Sequence, residues 1–557
     1  MKKLLQIITF LFVFVECSYS QSFNYIDDHC FGTLKAEEGS DMTRLNQLNV
    51  IVGNSFSVNA QQDKTESTCD SLLNPGEFPG DFWVVAFDDS LHKKWDKTYG
   101  TTSINEQGTS IIPYRQGILI AGETAGDSSC SLVTTIRGDR DYILLFIDSL
   151  GNKINELRLG SVGCDKNCIA EQSLDGGLLL SGFSNGVHGF DKTQHAFYYP
   201  SQTPYQAGFD FWAIKLDTLG NKQWDCVFGG MGNEYPDQAS KKSGLTVLND
   251  SNYLIYGSTS SGIGGNITTS PISPPGFLDA IVFKVDKNGN KLWDKRFGCD
   301  GWTNLNKIIE KDNYYYFFGL KYITTFGTIP LENDFWIMKT DTSGNLIWEK
   351  KFGTTESDFW GDIIQNPQGG FFALGAIPTL QNGAYASSTF SNPAYGDNDI
   401  VIMSLDTAGS LLTYKIIGHN KSNLPNSLTM INDSTILISA TAANGISNVK
   451  NDAGRGDKDI WVVKLGYSST TTSINQLQNN FTLTVQPNPA HNQINFSGLP
   501  PATYVMNTYC LDGRLVMNNT IYSDLSLTLP INNLQSGIYI TNIKNENVNT
   551  TVRWVKE

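Results

Sequence analysis

One apolar run recurs along the chain. It reads Asp81-Phe-Trp-Val-Val-Ala-Phe-Asp88 at its first appearance and returns with starts at Asp141, Asp210, Asp279, Asp334, Asp399 and Asp459, spaced by 60, 69, 69, 55, 65 and 60 residues. Each copy is too short, and too rich in β-branched and aromatic residues, for a helix; it predicts a strand buried on both faces. The first six copies end in a turn such as Asp286-Lys-Asn-Gly-Asn290, which leads into a second strand such as Trp293-Asp-Lys-Arg-Phe-Gly298. The turn Gly supplies a positive φ and the Asp bonds back to turn amides. Trp and Phe four apart share one strand face, and the lysines between them suit an exposed edge. Upstream of each run lie two more strands, for example Thr109–Pro113 and Gly117–Gly122.

Four strands per unit of about 60 residues describe the blade of a β-propeller. The seventh run has no Trp-type strand after it, whereas Asp27-Asp-His-Cys-Phe-Gly32 is a Phe-Gly strand with no partner upstream. The N-terminal strand is therefore expected to close the last blade from outside, giving an all-β, seven-bladed β-propeller over residues 21–466. The repeat resembles the secreted bacterial propeller repeats and, more distantly, the Asp-box of sialidase-type propellers and the Trp-containing repeat of quinoprotein propellers. That resemblance implies a fold and leaves function to the loops.

Both ends of the chain carry targeting patterns. Lys2 and Lys3, the apolar run Leu4–Val15 and the small residues Ser18 and Ser20 predict a signal peptide over 1–20. A polar linker without charges covers 467–480, and 481–557 reads as a small Ig-like β-sandwich with short strands and turn signals. This module resembles the C-terminal sorting domain of type IX secretion cargo. The matching residues are Pro487, Asn488 and Pro489, then Gly513 in Leu-Asp-Gly-Arg, Gly537 and Tyr539 in Leu-Gln-Ser-Gly-Ile-Tyr, and Lys556. The resemblance implies handling by the type IX machinery and passage through the periplasm to the outer cell surface or the medium.

Composition narrows the partners. The 557 residues carry 40 Lys+Arg against 55 Asp+Glu, and without 1–20 the balance is −16. No cationic surplus exists to neutralise phosphates, so nucleic acid is not an expected partner. No long apolar stretch follows the leader, so no transmembrane segment is expected. Eight cysteines beyond Cys17 do not follow the repeat; Cys164 and Cys168 read as a local disulfide or as free thiols.

The loops entering the Asp-led strands hold the insertions, at 58–80, 126–140, 185–209, 258–278, 378–398 and 442–458, and a ligand is placed on that face. The third insertion is the aromatic one, and His188, Phe190, Phe197, Tyr198, Tyr199 and Tyr205 are the candidate binding residues, by stacking on sugar rings or protein or by packing on themselves. His188, Asp191 and His195 have weak metal geometry. The acids Glu234, Asp237, Asp300, Glu356, Asp358 and Asp362 read as solvated loop acids before they read as calcium ligands or catalysts, so no cofactor is assigned, with calcium the one open possibility. Arg137-Gly-Asp139 and Arg455-Gly-Asp457 have a structural origin in the repeat for Gly and Asp, with arginine added by chance. The seven propeller arginines are scattered, which speaks against a sialidase. The leading expectation is a non-enzymatic module binding glycan or protein; the alternatives are a polysaccharide-active enzyme with carboxylates in the funnel and a structural surface-layer component.

Overall fold

The computed structural model describes residues 19–69, 80–102, 106–197, 208–235, 244–323, 332–354, 356–378, 390, 395–446, 449–471, 483–510, 514–545 and 549–557. The leader read at the N-terminus lies largely outside them, as do Tyr198, Tyr199, Tyr205, Asp237 and Gly513. Two compact units emerge, Gln21–Ser468 and Ser469–Glu557.

The described residues of the first unit form seven antiparallel sheets in the order of the chain, and they make the seven-bladed propeller. Six sheets take four consecutive strands each, with the inner strand of the fourth blade split into Glu234–Tyr235 and Gly244–Val247. The seventh sheet takes Asn423–Asn432, Thr435–Ala443 and Lys458–Thr471 and is completed by Tyr19–Phe31 from the other end of the chain. The Asp-led run is the third strand of every blade. Buried on both faces, it packs one side on each neighbouring blade; Trp212, for instance, joins a cluster with Tyr142 of the second blade.

The outer strands lock each blade to the next. Trp224 donates its indole N–H to Lys287 O at 2.9 Å, on the hairpin turn of the following blade, and Trp95 does the same to Ser149 O at 2.9 Å. The turn glycine under each indole is needed twice over. Gly289 has φ +89°, and a Cβ there would stand 3.0 Å from the Trp224 ring. The turn aspartate is saturated as expected: Asp286 accepts the Asn288 and Asn290 amides at 2.8 and 2.9 Å.

The second unit is one five-stranded sheet that folds over its own core. Gln493–Cys510 is irregular at Leu499 and Ala502, where it bends; its first half pairs with Thr484–Gln486 and its second with Gly537–Lys544, while Leu515–Pro530 follows its whole length. Ile494, Phe496, Tyr504, Met506, Ile543 and Trp554 fill its core, in keeping with an Ig-like module.

Candidate functional site

The long loops are anchored by two sets of buried carboxylates. The first set opens the third strand. Asp81, Asp141, Asp210 and Asp459 are fully buried, and each accepts a backbone N–H from the loop before it: Cys69, Arg137, Phe197 and Arg455, at 2.5 to 2.8 Å. The Phe-Gly glycine is dictated by these acids. A Cβ on Gly160 would meet Asp141 Oδ1 at 2.0 Å, and one on Gly229 would meet Asp210 Oδ1 at 2.0 Å.

The second set sits on the outer strand. Asp225 accepts the Trp212 indole at 3.1 Å, the Thr193 amide at 2.8 Å and the Thr193 hydroxyl at 2.9 Å, and Lys222 at 2.8 Å completes the knot. Asp96 repeats it with Trp83 and Thr65, and Asp28 accepts Trp461 and the Asn451 amide. The outer-strand lysines, expected as edge charges, reach instead to loop carbonyls: Lys93 to Asp63, Lys153 to Ser131, Lys222 to Asp191 and Lys291 to Asn266.

Between the anchors the loops hold a repeat of their own. Gln61-Gln62-Asp63-Lys64, Ser129-Cys130-Ser131-Leu132, Gly189-Phe190-Asp191-Lys192 and Gly264-Gly265-Asn266-Ile267 close the same tight turn by a bridge between first and fourth residues. The second residue is left-handed in every copy, with φ of 54°, 55°, 51° and 59°. The third caps the Phe-Gly glycine of the preceding blade: Asp63 takes Gly32 N–H, Ser131 Gly100, Asp191 Gly160 and Asn266 Gly229, at 2.8 to 3.1 Å. The fourth is buried, whether Lys or apolar.

This turn explains the two Arg-Gly-Asp tripeptides. Arg137 pairs with Asp191 at 2.6 Å and Arg455 with Asp63 at 3.1 Å, each reaching the turn of the following blade. The arginines therefore have a structural task, contrary to the expectation that they are incidental. The same contact removes Asp191 from the metal reading, and among the described residues no group of three His, Cys, Asp or Glu is placed to hold a metal.

The candidate binding residues of the third insertion separate. Phe190 is 67% exposed in its left-handed turn position, and His188 is exposed with its ring 4.4 Å from that of His195. Phe197 instead turns inward onto the core shared by the second and third blades, because its N–H is held by Asp210. Val133 and Ile263, on the loops of the two neighbouring blades, are 67% and 63% exposed, and Ile446, on the loop of the seventh blade, is 62% exposed. The sequence reading passed over a further half-buried aromatic group at the junction of the fourth and fifth blades, where Trp302 lies 5.3 Å from Tyr322 and 6.3 Å from Phe277. A lone Trp and Phe in separate loops gave no signal for it.

Of the loop acids expected to be solvated, Asp300 and Glu356 are exposed, whereas Glu234 and Asp358 are not. Glu234 is buried and accepts the Thr259 and Ser261 hydroxyls at 2.7 Å, and Asp358 is buried on the Thr354 amide and hydroxyl, both at 2.9 Å. Burial pushes Asp358 up to about 8. Along the axis, Asp362 is bound by Lys307 at 2.7 Å and by the Leu428 amide at 3.0 Å, and Asp41 by the Ile111 amide at 3.1 Å. Ser427 bridges these two acids at 2.9 and 3.3 Å. The belt therefore sews inner strands of different blades together. Glu171 belongs to it through the Val247 amide at 2.8 Å, and burial raises it to about 7.

Among the described residues six cysteines are free, Cys164 and Cys168 among them. Cys69 and Cys130 are joined across 61 residues, one blade spacing, and so link the loops of the first two blades.

In the second unit the motif residues gather at the last strand. Asn488 Oδ1 accepts the Val555 amide at 2.9 Å, the Ala490 amide donates to Val555 O at 2.8 Å, and Lys556 Nζ donates to His491 O. Gly537 and Tyr539 pair with Lys556 and Trp554 on that strand, and the Tyr539 and Trp554 rings stack at 5.0 Å. Residues 484–557 match the family model described as a secretion system C-terminal sorting domain. This is a type IX sorting domain. It marks the chain for export to the outer cell surface or for secretion. No helix among the described residues is long and apolar enough to cross a membrane.

No curated protein matches the chain. Among solved structures, it is similar to a protein of unknown function from Dyadobacter fermentans (11% identity, 80% of this chain and 99% of that one, TM-score 0.41). It is similar also to the Neurospora crassa Pan2 WD40 domain (8%, 80% and 96%, TM-score 0.40) and to the α-L-arabinofuranosidase Arb93A of Fusarium graminearum (8%, 81% and 100%, TM-score 0.38).

Proposed function

We propose that the exported propeller is a non-enzymatic binding module that engages a glycan or a protein through its long-loop face. The reading is carried by the placement of Phe190: an aromatic residue held left-handed in a turn anchored just beyond it by the Thr193 and Phe197 amides, with its ring in solvent. The left-handed position belongs to the repeated turn, as at Gln62 and Cys130, and in this copy alone among the four it carries an aromatic ring. The anchored turns beside it make the face rigid, which lowers the entropy lost on binding.

One observation favours the enzyme reading: Ser427 brings Asp41 and Asp362 within reach of one another in the axial channel. Both acids are already occupied by amides of other blades, and Asp362 by Lys307 as well, which is the chemistry of a seam. Affinity gels of the full exported chain against soluble polysaccharides, with assay of new reducing ends, separate the readings. Retardation with intact polymer supports the binder, and cleavage supports the enzyme. With neither, the glycan half of the proposal falls and a protein ligand remains.

A further inference from the structure

Where one blade meets the next, the Asp opening the third strand faces the residue opening the following inner strand. Buried acids face each other in this way at Asp141 and Asp165, at Asp459 and Glu37, and at Asp210 and Glu234. In the last of these the two carboxyl groups converge on Gly229, where a Cβ would stand 2.0 Å from Asp210 Oδ1 and 2.5 Å from Glu234 Oε2, and no other donor reaches Asp210 Oδ1. A carboxylate only accepts, so a bond between two carboxyls contains a proton. The surroundings leave room for one and for little else. Glu234 already takes the Thr259 and Ser261 hydroxyls, Asp210 Oδ2 takes the Phe197 amide, and the fully buried Asp210 Oδ1 finds no donor elsewhere.

The other charged groups around the pair are accounted for. Lys192, from the loop, is the cation that faces it, with Nζ held by Ser184 Oγ at 2.7 Å and Gly186 O at 3.0 Å. Asp165 on the inner strand and Asp225 on the outer strand face Lys192 in turn, and Asp225 is bound to Lys222. From the fourth blade come the neutral Asn266, on the Gly229 amide, and Arg296, which is committed to Asp279 at 3.1 Å and to Ser261 O at 2.8 Å.

We propose that Asp210 and Glu234 form a proton latch: one shared proton closes the seam between the third and fourth blades and, through the Phe197 amide, seats the 185–197 loop, which is released as pH rises. Burial, then the bond to Glu234 and its charge, hold Asp210 far above the usual carboxylate range. Free carboxyls lose their protons near pH 4. From there up to about pH 8, where burial makes Lys192 give up its own proton in the closed seam and offsets the effect, the closed seam holds one proton more than the open one, so opening becomes about tenfold easier per pH unit. The latch does not depend on what the loop binds.

Hydrogen exchange of the full chain tests it, read on the segment ending at Phe197 between pH 5.5 and 7.5, below the value of about 8 to which burial lowers Lys192, and corrected for the intrinsic pH dependence of exchange. The opening constant is expected to rise about tenfold per pH unit. The segment at Tyr395 is the internal reference, because its anchor Asp399 lies at the junction where Asn423 opens the next inner strand, and it should not follow this slope. Asp210→Asn donates to Glu234 without a titrating proton and should flatten the slope at Phe197; Glu234→Gln serves equally if the first variant fails to fold. A flat slope in the unsubstituted chain, an unchanged slope in the variant, or equal slopes in both segments overturns the latch.

Discussion

Trp212 donates its indole N–H to Asp225 Oδ2 at 3.1 Å, and this bond fastens the third strand of a blade to its outer strand and to the loop above. The same carboxylate holds Thr193 and Lys222. Asp225→Ala should lower unfolding stability by about 3 kcal/mol, since it leaves buried donors unpaired, whereas Trp212→Phe loses one charge-assisted bond, about 1.5 kcal/mol, besides some packing. Urea unfolding of both variants checks the order, which would be inverted if ring packing outweighed the knot.

Gly160 and Gly220 separate close approach from backbone freedom. A Cβ at Gly160 would stand 2.0 Å from Asp141 Oδ1, whereas at Gly220 nothing lies within 4 Å but φ is +87°. Gly160→Ala should cost about 3 kcal/mol through overpacking, and Gly220→Ala about 1 kcal/mol through backbone strain. Equal costs in a denaturant titration would refute the packing argument.

Stability should fall as pH rises. Burial pushes Glu37 to about 7, Asp141 and Asp459 to about 6 and Asp358 to about 8. Each folded-state value is raised, so the folded chain holds extra protons from about pH 4 upward, and each group removes about 1.4 kcal/mol per pH unit until its own value is passed. Denaturant midpoints should be higher at pH 5 than at pH 8; equal midpoints would mean that these acids ionise as freely in the fold as out of it.

The Cys69–Cys130 bridge closes 61 residues. Chain entropy alone gives it about 4 kcal/mol. Cys130→Ser should lower the thermal midpoint under oxidising conditions and make it insensitive to reductant, as followed by calorimetry.

The strands were legible because each Asp-led run is largely apolar and the first six end in an acid with a backbone task. The loops were not. Asp63-Lys64-Thr65 and Asp191-Lys192-Thr193 are identical, but Ser131-Leu132-Val133 and Asn266-Ile267-Thr268 fill the same turn with other chemistry, because the third position needs any acceptor and the fourth any side chain that buries. Glu234 and Asp358 passed for solvated acids because their partners, Thr259, Ser261 and Thr354, are ordinary hydroxyls whose approach depends on the blade junction. Phe197 was read as a ligand contact, and its amide bond to Asp210 turns it inward.

The most direct test of the account is ligand retention by full chains substituted on one face at a time. His188→Ala with Phe190→Ala removes exposed side chains from the long-loop face, and Leu219→Ser, at an 82% exposed residue on the opposite turns, serves as control. Affinity gels against polysaccharides, and exchange protection with any protein ligand recovered, should show binding lost in the first variant and kept in the second, with polymer intact. Loss in the control alone, or equal binding by all three chains, would contradict the long-loop face as the binding surface.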